Sequence, residues 1–104
     1  AETVATKYLK KMGHKIIDRN WKTKYCEIDI ISKFDDALFF TEVKYRKKSD
    51  QGGGLSAITS KKLKQMKFAA EYYVLLNQLK DADLRLATIS LGGKLPVVEI
   101  FLEI

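Results

Sequence analysis

Glu42-Val43-Lys44 sets a carboxylate and an ammonium two residues apart at the end of the apolar, β-favouring run Phe39-Phe40-Thr41. In a strand, that spacing turns both side chains to one face. Upstream, Glu27-Ile28-Asp29-Ile30-Ile31 places two acids at the same spacing within a β-branched run. Charges inside core strands are costly. Two strands that both accept that cost, and bring three acids and a lysine to a face they could share, point to a site for a hard divalent cation. Oxygen donors of this kind suit Mg²⁺ or Mn²⁺.

The flanking pattern supplies elements that could hold such a face. From Glu2 to Met12, Val4, Ala5, Tyr8, Leu9 and Met12 recur at helical spacing, and Gly13 provides a stop. Lys15 to Arg19, continued by Asn20 and Trp21, reads as a first strand running toward a sheet edge. Tyr25 to Ser32 and Leu38 to Tyr45 are the strongest strands, and the connector Lys33-Phe34-Asp35-Asp36-Ala37 suits an antiparallel hairpin. Arg46 to Gly54 is a polar, basic, glycine-rich loop. A helix of about 20 residues is expected to follow from Thr59 or Ser60, spanning about 30 Å, with Leu63, Met66, Ala70, Tyr73 and Leu76 or Asn77 on its apolar stripe. Its first two turns carry Lys61, Lys62, Lys64 and Lys67, at the end where the helix dipole prefers acids. A solvated charged face would explain them, and so would a phosphate backbone. Leu84 to Ser90 and Pro96 to Ile104 close the pattern as two strands around Gly92-Gly93, the last of them half-buried at an edge or against another subunit.

Composition bounds the function. The chain has 104 residues, 46% of them hydrophobic, which fits one domain over residues 1–104 with a core of its own. Nineteen Lys and Arg against thirteen Asp and Glu give a formal net charge of +6, which favours a polyanionic partner without identifying one. The single cysteine, Cys26, cannot form an internal disulfide, and no run has the length and apolarity of a signal peptide or membrane span. A cytoplasmic protein with no membrane partner is therefore expected. His14 and Cys26 lie apart and leave neither a zinc constellation nor a Cys-His nucleophile pair. His14 is expected to cap or solvate the end of the first helix. Gly52-Gly53-Gly54 lacks the Lys-Ser/Thr of a phosphate-binding loop and reads as a connector.

With Asp29 and Glu42-Val43-Lys44 on hairpin-joined strands, the two acids thirteen positions apart, the chain resembles the PD-(D/E)XK motif of the restriction-endonuclease-like nuclease superfamily. With Glu2 added, the order is similar to that of archaeal Holliday-junction resolvases. More specifically, Ala5, Tyr8-Leu9, Gly13, Arg19-Asn20-Trp21, Glu27-Ile28-Asp29, Phe40, Glu42-Val43-Lys44, Arg46 and Lys61 look like the YraN-like family of small bacterial proteins, from Glu2 to about Tyr73. The resemblance implies an α/β fold with a restriction-endonuclease-like central mixed five-stranded sheet flanked by helices, in the order α-β-β-β-α-β-β. It implies a nuclease in which Asp29, Glu42, the Val43 carbonyl and Glu2 hold Mg²⁺ or Mn²⁺, and Lys44 orients or deprotonates the attacking water. Glu2 is equally what a helix dipole would select in a first turn. Glu27 is either a further acid behind the metal ligands or a solvent-facing strand residue.

Arg19, Arg46, Lys47, Lys48, Lys61 and Lys62 are the expected phosphate contacts, because loops and a helix start bordering the metal face can meet a passing backbone. Trp21 and Tyr45 sit in apolar strand settings that favour core packing over base stacking. Three departures from the YraN-like pattern stand out: Cys26 and Ala1 replace glycines, and Arg85-Leu86-Ala87 replaces Arg-Phe-Asp, so a third acid is absent. The expected function is a metal-dependent endonuclease acting on DNA, with branched or junction DNA as a candidate substrate and DNA set ahead of RNA. The alternatives are a non-catalytic nucleic-acid-binding module on the same fold, and an RNase or toxin-like nuclease. Paired cutting of a junction would require a homodimer, for which the final strand offers a face.

Overall fold

The computed structural model describes residues 2–46, 58–94 and 96–104, except for the side chains of Glu2 and Arg46. Helix α1 (Glu2–Lys11) buries Ala5, Thr6 and Leu9. It stops where Gly13 takes φ +102°, a backbone conformation that glycine adopts without a Cβ penalty. The Gly13 N–H donates to the Lys10 carbonyl at 3.0 Å and the His14 N–H to the Leu9 carbonyl at 2.9 Å, the paired bonds of a Schellman ending.

Strands β1 (Lys15–Lys22), β2 (Glu27–Phe34) and β3 (Ala37–Arg46) form an antiparallel meander. Helix α2 (Ser60–Leu76) crosses over to β4 (Asp83–Gly92), which runs parallel to β3, and β5 (Val97–Glu103) returns antiparallel to β4. The sheet order is β1-β2-β3-β4-β5. This is the mixed five-stranded sheet with the α-β-β-β-α-β-β order implied by the resemblance. Among the described residues, no helix is long and apolar enough to cross a membrane.

The helices take opposite faces of the sheet. Ala5 and Leu9 of α1 pack with Ile30, Ile89 and Leu91, whereas Ala69, Ala70 and Tyr73 of α2 pack with Ile28, Ile31 and Phe40. Each large apolar side chain so buried contributes about 1.5–3 kcal/mol relative to exposure. Ile28 and Ile31 share the α2 side while Ile30 faces α1, so strict period-two alternation fails within β2. The buried stripe of α2 is Met66, Ala69, Ala70 and Tyr73, and Leu76 is exposed at the helix end.

Two expectations are corrected in detail. The hairpin connector is shorter than Lys33 to Ala37: the ladder closes at Phe34↔Ala37, leaving Asp35 and Asp36 at φ +54° and +65°. A two-residue turn with both φ positive matches the strand twist, and aspartate tolerates that region. His14 is buried rather than solvated: its Nδ1 lies 2.9 Å from Ser32 Oγ, and its ring stacks on Phe34 at 4.7 Å.

Candidate metal centre

The site arises where two neighbouring strands part. β2 and β3 are paired from Phe34↔Ala37 to Ile30↔Thr41. Beyond that, β2 continues against β1 through Ile28 and Glu27, and β3 continues against β4 as far as Arg46↔Gly92. A fork of this kind strips the facing edge of β3 of its ladder partner. Asp29 supplies one: its Oδ2 accepts the Val43 N–H at 2.8 Å. The carbonyl of a strand residue points to the same side as its N–H, so the Val43 carbonyl is also directed into the fork.

Glu42 precedes Val43 and turns to the opposite face, toward α2. Its Oε2 lies 3.9 Å from Lys44 Nζ, as the i, i+2 spacing predicted, and its Oε1 is paired with Lys62 Nζ. Lys62 reaches it because Thr59 caps α2, with Thr59 Oγ1 accepting the Lys62 N–H at 3.0 Å. That cap fixes the first turn of the helix over the sheet. The crowding of lysines at a helix N-terminus with no acid in its first turn thus finds part of its compensation across the interface, in a strand carboxylate. Asp29, Glu42, Lys62, Glu27, Ile28, Thr41 and Met66 line one cavity of about 50 Å³. Glu42 Oε2 is buried there without a hydrogen-bond partner among the described residues.

The other expected residues fall at varying distances from this cavity. Glu27 stands at its rim and pairs with Lys22 at 3.7 Å, both side chains being exposed. Arg19 Nη2 donates to Thr3 Oγ1 at 3.5 Å, which ties β1 to the first turn of α1. Glu2 opens that helix, but its side chain lies outside the described residues, as does that of Arg46 at the end of β3. Lys47 and Lys48 lie outside the described residues altogether, and Lys61 is exposed. Lys62, expected on phosphate, meets Glu42. Trp21 packs edge-on against Tyr73 at 5.2 Å in the core, and the Tyr45 hydroxyl donates to the Gly93 carbonyl at 3.0 Å.

Sequence reasoning missed two residues beside the site. In the parallel register Thr88 lies opposite Glu42 and Ser90 opposite Lys44. Both hydroxyls are buried without a hydrogen-bond partner among the described residues. No local signal marks them, because their register depends on the α2 crossover. Ala87, where the missing third acid would stand, packs on the other face with Ala37, Phe39 and Phe101. Nearby, Arg85 bonds to Asp83 within β4 (2.9 and 3.0 Å) and joins β4 to β5 through Glu103 (2.8 Å). Its guanidinium, chiefly by hydrogen bonding, holds the Asp83 carboxyl below its ordinary range.

Among the described residues, no three His, Cys, Asp or Glu side chains are grouped closely enough to cage a metal ion. What the fork offers is a smaller set, namely two carboxylates and a main-chain carbonyl. Mg²⁺ is commonly held by one or two carboxylates, with water and substrate phosphate completing an octahedron. The buried Glu42 oxygen without a hydrogen-bond partner is the feature that a hard cation would satisfy, so the donor set fits Mg²⁺ or Mn²⁺.

The sequence is similar to a family of known proteins over most of its length. A family model described as "Uncharacterised protein family UPF0102" matches residues 1–95. A UPF0102 protein of Shewanella sediminis is 41% identical over 78 residues, covering 75% of this chain and 67% of its own length. Relatives from a Sulfurihydrogenibium species and from Neisseria meningitidis are each 36% identical, covering 88% and 91% of this chain and 80% and 83% of their own lengths. The chain therefore belongs to UPF0102, the YraN-like family of the restriction-endonuclease-like superfamily.

Proposed function

We propose that the protein is a metal-dependent endonuclease that hydrolyses phosphodiester bonds in DNA, with branched or junction DNA as its substrate class. The observation that carries this reading is the fork between β2 and β3, where Asp29 and Glu42 line one cavity and Lys44 lies beside Glu42. Asp29, Glu42 and the Val43 carbonyl would hold Mg²⁺, with Glu2 as a fourth donor from α1. When bound, the ion supplies Lewis-acid polarisation of a phosphoryl oxygen and activation of water.

The remaining tasks fall to the chain's own groups. Asp29 keeps Val43 in place through the 2.8 Å bond from its N–H, which fixes the main-chain donor beside the carboxylates. The Lys44 ammonium orients the attacking water and stabilises charge developing on the phosphate. Lys62, on the first turn of α2, can exchange Glu42 for a phosphate oxygen when substrate and metal arrive. Exposed Lys61 and Lys64 and the net charge of +6 favour the approach of a polyanion.

One observation favours a second reading, a binding module without turnover: Glu42 already has two ammonium partners. Incubation with labelled single-stranded, duplex, flapped and four-way DNA, and with RNA, in Mg²⁺, Mn²⁺ or EDTA separates the two. The nuclease reading expects metal-dependent products from DNA that disappear in Glu42→Ala and Lys44→Ala. Gel shifts with every substrate left uncut would replace it with the binding module. Paired cutting needs two copies, and β5 presents exposed Val97 and Leu102 at the sheet edge. A strict monomer in sedimentation would leave nicking as the only mode.

A further inference from the structure

A second, larger hollow adjoins the metal cavity. Its volume is about 570 Å³, and it shares Glu27, Lys62 and Met66 with the smaller one. One wall is the turn between β1 and β2, where Thr23 Oγ1 accepts the N–H groups of Tyr25 and Cys26 at 3.0 and 3.2 Å. That turn holds Tyr25 outward, 66% exposed. The other wall is α2, from which Phe68 projects, 50% exposed. Tyr72, one turn further on, stacks on Phe68 with ring centroids 5.8 Å apart and planes at 14°, and it meets Tyr25 edge-on at 6.2 Å. Lys22, Lys62 and Lys64 also face this space.

Large aromatic rings left in water are costly unless something covers them. Here Tyr25 and Phe68 line a concave space with three ammonium groups and one carboxylate, Glu27, which pairs with Lys22, and the net positive charge complements a phosphate backbone while the ring faces complement a base. A stacked base contributes whatever its identity, because every base has a π-face. Duplex DNA offers no such face along its length. We infer that this hollow is a subsite for an unpaired nucleotide, which stacks on Tyr25 or Phe68 while its phosphates run along Lys22, Lys64 and Lys62 toward Asp29 and Glu42. The inference deepens the nuclease reading and rests on it for direction: the cleaved bond lies next to a single-stranded segment, as in a flap, a tail or an opened branch point.

The test is fluorescence anisotropy in EDTA, which separates binding from cleavage. The probes are a labelled thymidine oligonucleotide, a blunt duplex, and the same duplex with a single-stranded tail. Tyr25→Ala and Phe68→Ala should each weaken binding of the single strand and the tailed duplex about tenfold, and leave the blunt duplex within about twofold. Tyr25→Phe should bind as the parent does. Leu75→Ala, 73% exposed on the same helix beyond the hollow, should change none of the three. Because Tyr25 and Phe68 are exposed, each variant loses little beyond its ring contact with Tyr72, and thermal melts should stay within about 5 °C of the parent. Equal losses on all probes, or no loss on any, would overturn the subsite. So would a switch from dimer to monomer in sedimentation with binding unchanged, since a second copy would then be what covers the rings. Cleavage that is insensitive to Tyr25 and Phe68 removes the subsite and leaves the nuclease. Tyr25-dependent binding with no cleavage in Mg²⁺ does the reverse.

Discussion

Replacing Lys62 by methionine probes whether the ammonium and a metal ion compete for the same carboxylate. Lys62 Nζ pairs with Glu42 Oε1, with side-chain exposures of 36% and 15%, so the lysine end of the pair is in contact with solvent. A divalent ion on Glu42 would sit about 4 Å from that ammonium, and at water-like screening the repulsion between charges of +2 and +1 is about 2 kcal/mol. The exposure of Lys62 argues for this screened value over the several-fold larger one of a dry interior. Lys62→Met keeps much of the apolar stem and removes the charge. Mn²⁺ binding followed by calorimetry should then tighten by about thirtyfold. Glu42→Gln should abolish the binding, and Asp29→Asn should weaken it. The same Lys62→Met variant should bind duplex DNA more weakly, with the slope of log affinity against log salt reduced by about 0.9 if Lys62 meets one phosphate. An unchanged or weaker Mn²⁺ affinity in Lys62→Met would refute the argument, because the ion and the ammonium would then not share Glu42.

Three further outcomes follow from the packing. Gly13→Ala places a Cβ at φ +102° and 3.2 Å from the Phe34 ring, so urea denaturation should show a loss of about 1–2 kcal/mol; an unchanged midpoint would mean that the ending of α1 relaxes freely. Burial holds the His14 imidazole below its ordinary pKa of 6.5, so the fold favours the neutral ring, and its stability contribution is full above that value and lost as pH falls through it toward the folded pKa. The difference in urea midpoint between the parent and His14→Gln should shrink as pH is lowered from about 7.5 to 5, and a difference that grows would reverse the sign of the argument. Thr88→Val removes a buried hydroxyl that has no hydrogen-bond partner among the described residues, so stability should hold or rise by about 1 kcal/mol; a clear loss would reveal a partner for that hydroxyl.

What could be read from the chain alone was what depends on near neighbours. The Glu42-Val43-Lys44 spacing forced two charges onto one face because strand periodicity is local, and the 3.9 Å contact between them follows from it. The pairing of β2 with β3 was legible because a short polar connector joins two β-branched runs, although Asp35-Asp36 concealed how tight the turn is. Gly13 marked the end of α1 for the same local reason. Folding in three dimensions decided the rest. The loss of pairing beyond Ile30↔Thr41, which lets Asp29 take the Val43 N–H, depends on how β1 and β4 draw the two strands apart. Lys62 reaches Glu42, and Thr88 and Ser90 come to lie beside Glu42 and Lys44, only because α2 crosses the sheet to a parallel strand. His14 is buried because Ser32, Phe34 and Phe39 on other strands close over it. The hollow between Tyr25 and Phe68 joins residues more than forty positions apart. Contacts of that range are set by helix-to-sheet packing and strand register, which no window of neighbouring residues encodes.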